Sequence, residues 1–310
     1  MPTPRKPPAL KPGAQVRVVS PSSPIESELL ERGLAELTRL GFRPRAGASV
    51  AERHGYFAGD HKSRWNDLHG ALTEAGVDAV ACSRGGFGST YLLDRLDPAD
   101  LRAPKIFLGY SDATVVQAFL WQKLGWITFY GPMVAAGFDR GAAGYDEESF
   151  RHATCNTSGG WRLDLRGESL SDGAAEGVLL GGCLTMIETT IGTPWELDTK
   201  DSILLLEDRG MKPFQVDRSL MHLRQAGKLA NVRGIILGEF PECEAPANSE
   251  DVRSIARRVL GNLNVPIVWG AAAGHTPRPM LTLPLGVRAR LEARTAGPAA
   301  DLFILEPAVV

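Results

Sequence analysis

Lys105–Leu120 reads KIFLGYSDATVVQAFL: an apolar run, then the turn Gly109-Tyr110-Ser111-Asp112, then a helical pattern reaching about Leu124. This is a strand, a sharp small-residue turn and a helix. A serine at the tip of such a turn is lifted out of the sheet, and the N–H groups of the helix start can stabilise an oxyanion. The same residues would serve as helix caps, a role that Ser and Asp favour. From this segment alone, capping is the commoner outcome.

The same rhythm runs outward through the first half. Gln15–Val19 is a strand ending in Ser20-Pro21-Ser22-Ser23, and a helix follows over about 26–40 with Leu29, Leu30, Leu34, Leu37 and Leu40 on one face. A second helix is expected over 63–75, and the strand Val77–Cys82 stops at Arg84-Gly85-Gly86-Phe87-Gly88. Strands alternating with helices predict a parallel sheet covered on both faces, with ligands at the carboxyl ends of the strands. Residues 141–175 break the rhythm with Gly, Asp, Glu and Ser. Beyond them come short strands at 178–180, 202–206, 234–238, 267–269 and 287–291, with one clear helix over 216–226. The expected organisation is an α/β domain over 1–150, a linker over 151–175 and a mixed α/β domain over 176–310.

Composition sets bounds on function. The 310 residues carry 34 Lys+Arg against 36 Asp+Glu, a net charge of −2 that gives no electrostatic reason for a nucleic-acid partner. The start MPTPRKPPALKPG lacks an apolar signal region, and no apolar run is long enough for a bilayer. Cys82, Cys155, Cys183 and Cys243 form no CxxC pair, so reduced thiols and a cytoplasmic setting are expected, with no membrane partner.

Three further segments could carry chemistry. The loop Arg84–Gly88 has the glycine density of an anion site, but neither GxGxxG nor a Walker lysine; it is a tight turn or a backbone lining for an oxyanion. The strand before Glu207-Asp208 ends in two carboxylates, one of which could face inward and hold an imidazole, while solvation is their commoner fate. His275 lies in a loop between Gly-Ala-Ala-Ala-Gly and Thr-Pro-Arg-Pro, whereas His54, His61, His69, His152 and His222 lie on polar or helical stretches.

Taken together in order, the segments VVSPSSP, SRGGFGSTYLLDRLD, FLGYSDAT, YGPM at Tyr130–Met133, LLGGCLT, GTPW, LLLEDRGMKPFQVDR and GHTPRPMLTLPLG resemble the LD-carboxypeptidase family of serine peptidases over about residues 10–305. That family also contains the microcin C self-immunity hydrolases. The resemblance implies a flavodoxin-like (class I glutamine-amidotransferase-like) first domain and an active site in the interdomain cleft. It implies Ser111 as nucleophile, Glu207 as orienting acid and His275 as base, with backbone N–H groups of Gly86 and Asp112 as oxyanion donors. It implies no cofactor and a homodimer. Arg84, Tyr110, Trp195 and Arg209 are expected to face substrate; Arg209 is alternatively a solvated turn residue. Where the family usually reads GGNL, this chain has Gly181-Gly182-Cys183-Leu184, which removes an amide and its hydrogen bonds.

The leading expectation is removal of the terminal D-Ala from a murein tetrapeptide, at an L-centre–D-centre bond, in cell-wall recycling. A second keeps the three residues but cleaves a peptidyl-aspartyl carboxamide from a nucleotide, which needs an aromatic wall from Trp195 or Trp269. A third is a non-catalytic two-lobe binder of a carboxylated ligand, against which intact Ser111, Glu207 and His275 argue. No HxH, HExxH or Cys/His spacing offers a metal site. Hydrolysis is therefore expected to continue unchanged in EDTA. Loss of rate in EDTA, restored by Zn²⁺, would force a metallopeptidase reading.

Overall fold

The computed structural model describes residues 1–295 and 300–310. In chain order the strands are β1 (Gln15–Val19), β2 (Arg43–Ala46), β3 (Ala79–Cys82), β4 (Ile106–Gly109), β5 (Thr128–Tyr130), β6 (Trp161–Asp164), β7 (Glu168–Ser171), β8 (Gly173–Cys183), β9 (Ser202–Glu207), β10 (Gly234–Leu237), β11 (Ile267–Trp269), β12 (Leu283–Leu285), β13 (Arg288–Ala293) and β14 (Ala300–Ile304). The helices are α1 (Ser27–Arg39), α2 (His61–Thr73), α3 (Thr90–Leu93), α4 (Thr114–Leu124), α5 (Glu147–Cys155), α6 (Leu184–Thr190), α7 (Pro213–Gln225) and α8 (Val252–Leu260).

The first sheet has the order β12-β5-β4-β3-β1-β2, parallel except for β12 at one edge. Its inner strands β3 and β4 are buried at every position, the condition of a parallel sheet covered on both faces. The second sheet, β6-β14-β13-β8-β9-β10-β11-β7, runs parallel from β8 to β11 and antiparallel at its flanks. This is the two-domain α/β architecture that the sequence predicts. No helix among the described residues is long and apolar enough to cross a membrane.

Two features differ from the sequence reading. Residues 151–175, expected as a linker, hold the end of α5 and the strands β6 and β7, both paired into the second sheet. Four-residue strands show only two turns of alternation, too short to stand out among Gly, Asp and Ser. In addition, β12 leaves the second half and pairs antiparallel with β5, so the chain crosses back into the first sheet.

The two layers meet along α4. Residues Thr114–Trp121 of this helix are all buried, mostly apolar, with the buried Gln117 amide donating to the Gly109 and Phe129 carbonyls. It packs against α6 and β8 of the second domain and ends on the left-handed Gly125. Across the seam the Thr114 hydroxyl accepts the Cys183 N–H at 3.1 Å. Gly182, at φ 145°, lets this happen: a Cβ there would stand 2.7 Å from Thr114 Oγ1 and 3.0 Å from Tyr130 Cε2. Gly182→Ala is therefore expected to lower unfolding free energy by about 2–4 kcal/mol, from backbone strain and overpacking together. Urea denaturation measures it; a loss below about 0.5 kcal/mol would mean that the seam is slack.

Candidate active site

The turn after β4 places Ser111 at φ 63°, left-handed backbone that a serine adopts only under constraint, at a cost of about 1 kcal/mol or more. The constraint comes from both sides. Behind the turn the Asp112 carboxylate is buried, accepting Ser22 Oγ at 2.5 Å and the Ser89 N–H at 2.8 Å. In front lies the glycine loop, where a Cβ on Gly85 would come within 2.8 Å of Ser111 Oγ. Arg64, fully buried on α2, bonds the carbonyls of Pro21 and Gly88 and so ties the two loops flanking Ser111. Among the described residues neither the Gly86 nor the Asp112 N–H has a protein acceptor, leaving both donors open beside the serine.

The acid and the imidazole come from the second sheet. Glu207 ends β9 completely buried, and His275 follows β11 with its side chain 15% exposed. Glu207 Oε2 accepts both the His275 backbone N–H at 2.8 Å and its Nδ1 at 2.9 Å. Gly274, at φ 66°, makes that approach possible, since a Cβ would lie 2.3 Å from Glu207 Cδ. With Nδ1 committed to the carboxylate, Nε2 is the nitrogen left to take a proton. Burial disfavours the charged ring, but the charge and hydrogen bond of Glu207, helped by Asp208, outweigh it and hold the His275 pKa above its ordinary value.

The pair Glu207-Asp208 sorts itself by what each meets. Asp208 Oδ2 accepts the Thr185 N–H at 2.8 Å and Thr185 Oγ1 at 2.7 Å, capping the start of α6. Glu207 alone reaches the histidine. Ser111 Oγ itself has no hydrogen bond among the described residues, so the serine–histidine contact is the open link; such bonds often close only with substrate in place.

Other expected site residues fall differently. Tyr110 is buried, its ring edge-on to His275 with centroids 5.0 Å apart, so it packs the imidazole. Trp195, in the loop after α6, is buried with its ring edge-on to Phe119 of α4. The Arg209 fork is closed on Glu242, at 3.0 Å through Nε, as the solvated-turn alternative anticipates. Arg84 is exposed, anchored by one bond of 3.1 Å to the Pro24 carbonyl. Cys183 is a buried thiol whose pKa burial raises far above the ordinary value, which keeps it neutral.

Tyr130 was not singled out by sequence reasoning, because an aromatic at the end of a buried strand reads as core. Its hydroxyl donates to Glu207 Oε1 at 2.5 Å and accepts the Ser111 N–H at 3.4 Å, and the motif Tyr130-Gly131-Pro132-Met133 was its one signal. Arg64 escaped notice as a cation on an amphipathic helix.

Comparison with known proteins bears on the family and the fold. Residues 16–131 match the LD-carboxypeptidase N-terminal domain and residues 176–291 the LD-carboxypeptidase C-terminal domain. A Bacillus subtilis relative named "Probable murein peptide carboxypeptidase" is 34% identical over 294 residues, covering 92% of this chain and 91% of its own. The crystal structure of muramoyltetrapeptide carboxypeptidase from Oxalobacter formigenes superposes with a TM-score of 0.83 at 30% identity, covering 95% of this chain and 99% of the other. The microcin C7 self-immunity protein MccF in its wild-type apo state has a TM-score of 0.91 at 25% identity, over 99% of this chain and 100% of that one.

The raised His275 pKa fixes a sign. The Glu207–imidazolium pair stabilises the fold below the ordinary imidazole pKa, and that contribution is lost as pH rises through the raised folded value. Glu207→Gln should lower the apparent pKa of any activity limb set by His275 and cut the plateau rate about a hundredfold or more. Asp208→Asn should leave the limb nearly in place and lower stability by about 1 kcal/mol through the α6 cap. If Asp208→Asn moves the limb and Glu207→Gln does not, the two carboxylates have been assigned the wrong way round.

Proposed function

We propose, from the premise that this chain belongs to the LD-carboxypeptidase family of serine peptidases, that it removes the terminal D-Ala of a murein tetrapeptide through an acyl-enzyme on Ser111. The observation that carries the residue roles is the buried Glu207–His275 pair set beside a serine held at φ 63°. His275 Nε2 takes the hydroxyl proton as Ser111 Oγ attacks the carbonyl carbon of the scissile amide. Glu207 keeps the Nδ1 proton in place and stabilises the imidazolium that forms. The open N–H groups of Gly86 and Asp112 receive the oxyanion. The C–N bond breaks, the imidazolium gives its proton to the departing D-Ala amine, and the tripeptidyl ester remains on Ser111. Water, deprotonated by His275, then attacks the ester, and the serine regains its proton as the tripeptide leaves.

A terminal D-amino acid brings a carboxylate with it, and Arg84 is the exposed cation on the glycine loop beside the nucleophile. The nucleotide-linked alternative asks Trp195 or Trp269 for an aromatic wall. Trp195 lies in the seam, and Trp269 stacks on Phe240 with ring centroids 5.7 Å apart, which favours the peptide substrate. A cytoplasmic homodimer, the family's usual state, completes the reading.

The test is incubation with an LD-tetrapeptide and, separately, with a nucleotide-linked aspartyl peptide, followed by mass spectrometry. Release of D-Ala is expected, with Ser111→Ala losing at least about a thousandfold in rate and melting within a few degrees of the parent chain. Cleavage confined to the nucleotide conjugate would select the alternative. Near-normal turnover by Ser111→Ala would leave the serine as a helix cap.

A further inference from the structure

Tyr130 closes β5, on the first sheet, yet its hydroxyl touches both halves of the site. The ring is fully buried, and its approach to the second domain depends on the missing side chain of Gly182. A phenol has one proton to give. Burial and the neighbouring Glu207 charge push the Tyr130 pKa well above the ordinary phenol value, so that proton stays in place. It points to Glu207 Oε1 at 2.5 Å, while Oε2 is taken by His275. Each carboxylate oxygen is thus held from a different sheet.

We propose that Tyr130 is a positioning residue of the hydrolysis: one hydroxyl holds the Glu207 carboxylate and the Ser111 amide together, setting both the negative charge that His275 faces and the register of nucleophile against base. The proposal rests on the roles assigned above to Ser111, Glu207 and His275. A donor on a carboxylate draws off part of its charge. Without it, His275 faces a less screened carboxylate, the imidazolium is favoured, and the activity limb moves to higher pH. That sign is opposite to the one expected for Glu207→Gln. A tyrosine that merely filled the core would change stability and leave the limb where it was.

The charged and titratable groups around the His275 ring are Glu207, Asp208 and Arg209 at the end of β9, Glu242 from the loop after β10, and the Tyr110 phenol after β4. Glu239 bonds the adjoining Thr276 and pairs with Arg278 at 3.1 Å. Among the described residues, Tyr130 hydrogen-bonds Glu207 alone of these groups.

The experiment compares pH profiles of kcat/KM for the parent protein, Tyr130→Phe and Tyr145→Phe, with D-Ala release as readout. Tyr145 is another tyrosine with a buried ring, whose less enclosed hydroxyl donates to a different carboxylate, Glu36, at 2.7 Å, and so controls for the loss of a phenol–carboxylate bond away from the site. Tyr130→Phe is expected to raise the limb by about half a pH unit and lower kcat about tenfold with KM nearly unchanged. Tyr145→Phe should leave limb and kcat alone. A limb that stays or falls in Tyr130→Phe, or one that rises equally in Tyr145→Phe, overturns the proposal. If Tyr130→Phe does not fold, 3-fluorotyrosine at position 130 decides: a more acidic phenol donates more strongly and should lower the limb, and an unmoved or raised limb overturns it. Ser111→Ala runs alongside, since its retained turnover would overturn the underlying catalytic reading instead.

Discussion

A carboxylate with no exposed surface is tolerated only when its oxygens are hydrogen-bonded, because an unpartnered buried charge costs several kcal/mol. Glu207 meets that condition with three donors, the Tyr130 hydroxyl, the His275 N–H and the His275 ring. One of them belongs to the first sheet and two to the loop after β11. The two domains therefore have one relative placement in which the charge is satisfied. Much of the local architecture follows from it: Gly182 clears space for Tyr130, Gly274 lets the histidine loop close on the carboxylate, and α4 is buried over Thr114–Trp121 where the seam covers it.

The Ser111 half of the site is held by a separate polar frame. Asp112 binds Ser22 and Ser89, and Arg64 binds the carbonyls of Pro21 and Gly88, so the turn after β1 and the loop after β3 are tied to each other around the strained Ser111. Burying an arginine and an aspartate in one small region is costly unless both find partners. The frame converts that cost into a fixed position for Gly85 and Gly86 beside the serine. The two frames meet where Tyr130 accepts the Ser111 N–H, so the strained residue is bound to both.

The fold class was legible because it depends on local signals, apolar runs ending in small-residue turns, whereas the roles expected of Ser111, Glu207 and His275 came from the resemblance of the ordered motifs and not from any one segment. The neighbouring carboxylates Glu207 and Asp208 were not separable by sequence chemistry alone, since consecutive strand residues point to opposite faces and which face meets a partner is a tertiary fact. Residues 151–175 escaped detection as sheet because four-residue strands rich in polar side chains leave hardly any periodic trace. Trp195 was read as a substrate contact for its residue type and Arg209 as either a carboxylate clamp or a solvated turn residue; the neighbours they meet, Phe119 and Glu242, are long-range and invisible in the local sequence. Tyr130 and Arg64 were hidden for the converse reason: each looks like an ordinary member of its strand or helix until distant loops are brought to it.

The central claim is that this scaffold delivers an acyl group to Ser111. The most direct measurement is rapid acid quench during the first turnover of an LD-tetrapeptide, followed by proteolytic mapping of the modified side chain by mass spectrometry. The account predicts a tripeptidyl ester on the peptide that contains Ser111. An acyl group on any other residue, or D-Ala release with no acyl group at quench times spanning the first turnover, would contradict it.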